Sequence, residues 1–191
     1  MSSAVLRLDA EHILRTVRIG DGAALARAYL RNREHLAPWE PTRTDGFFTA
    51  ASQEQHAQQS VVDASSGRNV RFVIESDDGE IRGCMNINSI VRGAFQSASL
   101  GYWIDSSRLR RRLASRSVAQ ILEYARTELG LHRLEAATLL HNVGSQRVLA
   151  ANGFERIGLA PKYLRIAGEW QDHLLFQRLL EEPLSVPREG P

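Results

Sequence analysis

The period of the apolar positions changes repeatedly along the chain, and each change marks an element. From Leu14 to Ile19 the residues alternate, with Leu14, Thr16 and Arg18 set against Arg15, Val17 and Ile19, which predicts a first strand. Asp21 stands at an N-cap position before Ala24, Leu25, Ala28 and Tyr29, all on one helical face. The stretch Arg31 to Thr49 is broken by Pro38 and Pro41 and predicts a loop holding a short helix. Ser52-Gln-Glu-Gln55 has the form of a capping box, so a second helix is expected from there to about Ser65. Three strand-like runs follow: Val70 to Glu75, Ile81 to Ile90 after the Asp77-Asp-Gly79 turn, and Ser97 to Ile104 after Arg92-Gly93. They predict an antiparallel meander.

Beyond the meander, Val118, Ile121, Leu122, Ala125 and Leu129 recur at helical spacing, with Gly130 in the terminating position. Arg133 to Thr138 predicts a strand, and Asn142 to Asn152 a short helix stopped by Gly153. Phe154 to Leu159 and Trp170 to Leu180 predict a final strand pair, joined through Pro161 and the turn Ala167-Gly168. The order β-α-α-β-β-β-α-β-α-β-β predicts a mixed α/β sandwich of the α+β type.

Composition narrows the class. A chain of 191 residues suits one well-buried core and is short for two, so a single domain is expected over 1–180. A flexible tail is expected over 181–191, which is rich in proline. The formal charge of +2 argues against a dedicated nucleic-acid binder, although arginine is concentrated between Arg108 and Arg116. Cys84 stands alone, which excludes an intramolecular disulfide and a cysteine-rich metal site, and it reads as a small core residue. No HExxH pair, GxSxG elbow or Walker loop is present, so no metal is expected. Met1 to Arg15 has no apolar signal-like run, and nothing approaches the roughly 18 apolar residues of a bilayer span. A cytoplasmic protein without a membrane partner is the expectation.

The densest chemistry lies between Leu100 and Val118, where a strand delivers an arginine-rich loop to the start of a helix. Free N–H groups at a helix start bind phosphate. A phosphate-cradling loop usually carries glycine where this chain has Arg110, Arg111 and Arg112. Their guanidinium groups either contact phosphate oxygens in place of backbone N–H groups, or face solvent as an ordinary charge run.

Several segments in order resemble one family. Gly101-Tyr-Trp-Ile-Asp105, Leu129-Gly-Leu-His-Arg-Leu-Glu135, Asn142-x-x-Ser145-x-Arg147-Val-Leu149, Asn152-Gly-Phe154 and Gly168-Glu-Trp-x-Asp-His173 look like the RimJ/RimL-like branch of the GCN5-related N-acetyltransferase (GNAT) superfamily. Asn32-Arg-x-x-Leu36-x-Pro38-Trp39 is similar to the same branch. The resemblance implies the GNAT fold, a mostly antiparallel twisted sheet of about seven strands flanked by about four helices. It also implies acetyl-CoA as acyl donor. The acetyl group would pass to a primary amine, of a protein N-terminus or a small molecule, by direct attack in a ternary complex.

Site residues follow from the resemblance position by position. The backbone of Tyr102, Trp103 and Ile104 would bind the pantetheine arm, with the side chains of Tyr102 and Trp103 on opposite faces. Arg110, Arg111, Arg112, Leu113, Ala114 and Ser115 would receive the pyrophosphate. The family pattern there, Gln/Arg-x-x-Gly-x-Gly/Ala, falls on Leu109, Arg112 and Ala114, and only Ala114 conforms. Asn142 would lie near the pantetheine, and it also suits an N-cap. Ser145 would place a hydroxyl beside the thioester sulfur and protonate the departing thiolate. Glu169 is the candidate to deprotonate the amine, and Glu40, His141, Asp172 and His173 have suitable chemistry.

Two other functions remain open at this level. The same fold could use an acyl-carrier protein or an aminoacyl-tRNA as donor, with the arginines as a docking surface for a phosphate-bearing carrier. It could instead be a non-catalytic binding module. The resemblance implies that specificity is set by Arg31 to Ser66 and the last hairpin; the acceptor is not readable, and both a monomer and a homodimer are open.

Overall fold

The computed structural model describes residues 4–180. The tail expected over 181–191 lies outside the described residues. The strands are β1 (Val5–Arg7), β2 (His12–Thr16), β3 (Val70–Ser76), β4 (Ile81–Val91), β5 (Ser97–Ile104), β6 (Arg133–Leu139), β7 (Glu155–Ile166) and β8 (Glu169–Leu179). They form one sheet in the order β1-β2-β3-β4-β5-β6-β8-β7, and every neighbouring pair is antiparallel except β5 and β6. The helices are α1 (Gly22–Arg31), α2 (Arg33–Leu36), α3 (Ala50–Ser65), α4 (Leu113–Thr127) and α5 (Val143–Ala151), with 3-10 turns at Asp45–Phe48 and Ser106–Arg108. This is the expected mixed α/β sandwich. The strand beyond expectation is β1, too short to show a period, and α2 is the short helix anticipated between residues 31 and 49.

Two cores lie on the two faces of the sheet. Leu113, Val118, Ile121, Tyr124 and Ala125 of α4 and Leu149 of α5 pack on Phe72, Ile74, Met85, Ile87, Leu100, Leu134 and Phe176. On the other face Leu25, Ala28 and Tyr29 of α1 and Ala57 of α3 cover Val73, Cys84 and Trp103. Strand alternation explains the division, because Phe72 and Val73, like Met85 and Cys84, point to opposite sides.

Three local expectations give way to long-range contacts. Asp21 makes no cap hydrogen bond. Its carboxylate instead grips buried Arg15 in two hydrogen bonds of 2.8 and 2.9 Å and accepts from Arg18 N, which carries the chain out of the sheet after Thr16. The start of α1 is held by Glu54 of α3, which accepts from Gly20 N and Gly22 N at 2.9 Å. Helix α3 begins two residues before the expected capping box, because the Thr49 side chain accepts from Ser52 N. Finally, β7 runs straight through Pro161. The strand is at the sheet edge, and a bulge between Ala160 and Leu164 frees proline from the ladder, with Lys162 N bonded to Asp172 Oδ1 at 2.8 Å.

The parallel pair β5 and β6 positions the site. Only Ser97, Ala98 and Ser99 pair with Arg133, Leu134 and Glu135. Beyond them β5 stays with β4 as far as Ile104, while β6 stays with β8 as far as Leu139. The sheet therefore splays open between Leu100–Ile104 and Ala136–Leu139, leaving two facing backbone edges without a ladder partner.

Candidate active site

A hydroxyl pair bridges the splay. Tyr102 of β5 packs against the α4 face and reaches α5, where its Oη and Ser145 Oγ share a hydrogen bond of 2.9 Å. Burial pushes the Tyr102 phenol up to about 12, with the Ser145 contact opposing, so it holds its proton at neutral pH. Ser145 is set in place by Asn142, whose Oδ1 accepts from Ser145 N at 3.1 Å as the N-cap of α5. Trp103 turns the opposite way into the second core, where its Nε1 donates to Tyr29 Oη at 3.2 Å. Trp103 and Ile104 are both buried, which leaves their backbone edge as the part that lines the splay.

The exit of β5 is clamped before the arginine loop begins. Asp105 is fully buried and accepts from Arg31 Nε at 2.8 Å and from Ser107 N and Oγ, while Asn32 Oδ1 accepts from Ser106 N at 2.9 Å. The loop then adopts φ of +60° at Arg110 and +59° at Arg112, the conformation that glycine supplies without a Cβ penalty. Arg112 is the N-cap of α4, and the first hydrogen bond of the helix runs from Arg116 N to Arg112 O. The N–H groups of Leu113, Ala114 and Ser115 therefore precede the intrahelical ladder. Arg108 and Arg116 are paired with Glu11 and Asp9, but exposed Arg110, Arg111 and Arg112 have no ion-pair partner among the described residues. The Leu113 side chain is core, and Ser115 Oγ accepts from Asn152 Nδ2 at 3.1 Å, tying α4 to α5.

A cavity of about 310 Å³ lies beside the second core, between the segment after α2 and the tip of the β7–β8 hairpin. Glu40, Arg43, Arg33, Tyr29, Phe48 and Ala167 line it. The turn residue Ala167 donates its N–H to Glu40 O at 3.0 Å, and the Trp39 ring sits 5.4 Å from that of His141, just before α5. Burial raises the Glu40 pKa, with Arg43 and Arg71 opposing.

The other candidate bases are placed elsewhere. Glu169 is exposed at the hairpin tip, opposite Ile166 and four residues beyond His173, where the pairing of β8 with β6 ends. The structure does not bring it to Ser145. Asp172 holds the β7 bulge, and His173 is buried with Nδ1 on Gln171 O. Sequence reasoning missed Tyr29, Arg43 and Arg71, which carried no motif and meet only through folding.

Residues 12–155 match the model of the acetyltransferase (GNAT) domain. The chain belongs to the GNAT family. It is an N-acetyltransferase of that type, and it is 31% identical to the [ribosomal protein uS5]-alanine N-acetyltransferase of Escherichia coli over 85% of this chain and 84% of that enzyme. Among solved structures, the ribosomal-protein-S5-alanine acetyltransferase of Vibrio fischeri superposes with a TM-score of 0.88 at 32% identity, covering 96% of this chain and all of that one. Mycobacterium smegmatis RimJ in complex with CoA-disulfide gives 0.85 at 36% identity, covering 93% and 86%. In this GNAT chain the hydroxyl pair bridges the splay to α5, and the Ser115–Asn152 contact ties α5 to the start of α4. No helix among the described residues is long and apolar enough to cross a membrane.

Proposed function

We propose that this GNAT enzyme takes its acetyl group from acetyl-CoA and transfers it to the N-terminal amine of a protein, by direct attack in a ternary complex. The observation that carries the reading is the Tyr102–Ser145 hydroxyl pair at the open edge of β5. The unpaired backbone of Leu100–Ile104 would bind an extended donor arm as a strand edge binds a peptide. Arg110 and Arg112 retain the positive φ of a phosphate cradle, so the loop suits a diphosphate despite its lack of glycine, with free guanidinium groups as added ligands. A lone, buried cysteine with no disulfide framework suits the cytoplasm, where we place the enzyme.

The donor supplies an activated thioester, whose sulfur leaves as a thiolate of pKa about 8.5. Ser145 Oγ would donate a proton to that sulfur as the C–S bond breaks and recover one from Tyr102 Oη, which in turn takes a proton from solvent before the next turnover. The amine must attack unprotonated. We assign receipt of its proton to Glu40, whose burial raises its basicity, in place of Glu169 at the exposed tip. Relatives named for alanine termini of ribosomal proteins support a protein N-terminus as acceptor.

The test is calorimetric titration with acetyl-CoA, followed by mass spectrometry of N-terminal peptides incubated with both. Binding and a gained acetyl group are expected. Absence of binding at ~1 mM acetyl-CoA would exclude it as donor, and binding of an acyl-carrier protein or aminoacyl-tRNA in its place would reassign the arginine loop.

A further inference from the structure

Positive charge exceeds negative charge around the 310 Å³ cavity, and the excess is built in. Arg33 is neutralised by Asp45 at 2.8 Å. Among the described residues the acidic neighbour of Arg43 is Glu40, at 3.8 Å, longer than the ~2.8 Å of a charge-assisted hydrogen bond. Its guanidinium lies 4.5 Å over the Phe47 ring, a contact that favours its position on the cavity wall, although the side chain stays partly in solvent. Arg71 on β3 has no carboxylate partner among the described residues. Its Nη2 donates to Tyr29 Oη at 3.1 Å, its neighbouring Sγ is that of Cys84, and its buried Nε has no hydrogen bond. Two guanidinium groups, Arg43 and Arg71, thus act on a space that holds one carboxylate. The field is felt nearby, since His56 is harder to protonate through burial and then through Arg71 and Arg43.

Resting on the acetyltransferase reading, we propose that the cavity takes the first residues of an acceptor that carries an acidic side chain beside its free amine, the amine meeting Glu40 and the carboxylate meeting Arg43. Arg71, behind the Tyr29 ring, strengthens the preference through its charge. The chemistry is that of a zwitterionic chain end: an ammonium and a carboxylate a few ångströms apart, facing a carboxylate and a guanidinium that contact each other only at 3.8 Å. The cavity volume is at the small end for ligand sites and suits one or two residues. The walls are preformed, because Ala167 N–H fastens the Glu40 backbone to the hairpin turn.

The experiment measures binding and turnover separately. Peptides beginning Ala-Asp and Ala-Lys, otherwise identical and fluorescently labelled at the far end, are titrated with the full chain by anisotropy. The acidic peptide should bind at least ~10-fold more tightly, with the ratio shrinking as salt rises. Arg43→Gln should bring the ratio within ~2-fold and Arg43→Glu should invert it, while Arg33→Gln, already neutralised by Asp45, should change it less than ~2-fold. Equal binding of the two peptides, preference for lysine, no binding of either, or a ratio indifferent to Arg43 would overturn the proposal. Incubation with acetyl-CoA separates this from the broader reading. Acetylation without charge preference leaves the transferase reading standing and removes this inference, whereas charge-selective binding without acetylation does the reverse.

Discussion

Tyr102 Oη and Ser145 Oγ stand 2.9 Å apart, joining a strand and a helix whose sheet neighbours have already diverged. The contact places two exchangeable protons at the mouth of the splay. Ser145→Ala should lower kcat roughly 100-fold, the lower range for loss of a general acid, while calorimetric affinity for acetyl-CoA changes little. Because burial holds the Tyr102 phenol at about 12, no rate limb below about pH 10 should belong to it. Tyr102→Phe should therefore reduce kcat without moving such a limb, and a limb that disappears in the variant would contradict the assignment.

Arg110 and Arg112 combine a strained backbone with a charged side chain, and the two properties can be separated. A non-glycine residue at φ near +60° costs about 1–2 kcal/mol, part of which glycine returns through its unfolded-state entropy. Arg112→Gly should raise unfolding free energy by roughly 0.5–1 kcal/mol in denaturant titration and weaken acetyl-CoA binding. Arg112→Ala should weaken binding alike without the stability gain. If neither variant changes affinity or its salt dependence, the loop does not contact phosphate.

The ion pair between buried Asp105 and more exposed Arg31 sets an acid limit on stability. Burial opposes ionisation of Asp105, but hydrogen bonds from Ser107, Arg31 and Asn32 outweigh it and hold the carboxyl at about 2, below its usual 3.8. A depressed carboxyl pKa contributes stability that is complete above the unfolded value and is withdrawn as pH falls through the folded one. The contribution, roughly 2 kcal/mol, should thus be lost between about pH 4 and pH 2. Asp105→Asn should lower stability by at least that amount at pH 7 and flatten the thermal-melt dependence across that interval.

Gly22 and Gly46 should respond unequally to alanine. A Cβ on Gly22 would lie 2.6 Å from Glu54 N, backbone that cannot yield without separating α1 from α3. Gly22→Ala should cost about 1–3 kcal/mol in chemical unfolding. At Gly46 the nearest atom, Thr44 Oγ1, is 3.8 Å away, and alanine there should change stability by less than ~0.5 kcal/mol. Equal effects at the two sites would mean that the α1–α3 contact is not tight.

Residues whose roles depend on near neighbours in the chain were legible. Strand β5 has its expected bounds, Ser97 to Ile104, because its alternation is uninterrupted. Asn142 caps α5 and Gly130 takes positive φ as helix-end chemistry predicts. Asp21 and Ser52 show the limit: each matched a local cap signal, yet Asp21 is captured by Arg15 and the cap of α3 falls to Thr49. A buried guanidinium outbids a backbone N–H for a carboxylate, and periodicity does not reveal that Arg15 is buried.

By itself, then, the sequence determined the order of the elements from β2 onward and the position of the arginine loop, which follow from local period, turns and caps. Tertiary structure decided which side chains meet. It paired Tyr102 with Ser145, turned Trp103 away into the core, set Glu169 on an exposed tip and gathered Glu40 and Arg43 around one cavity. The physical reason is range. Backbone preference acts over a few residues, whereas the site is assembled where β5 and β6 part and where the hairpin tip meets the segment after α2, contacts that only packing of distant elements can create.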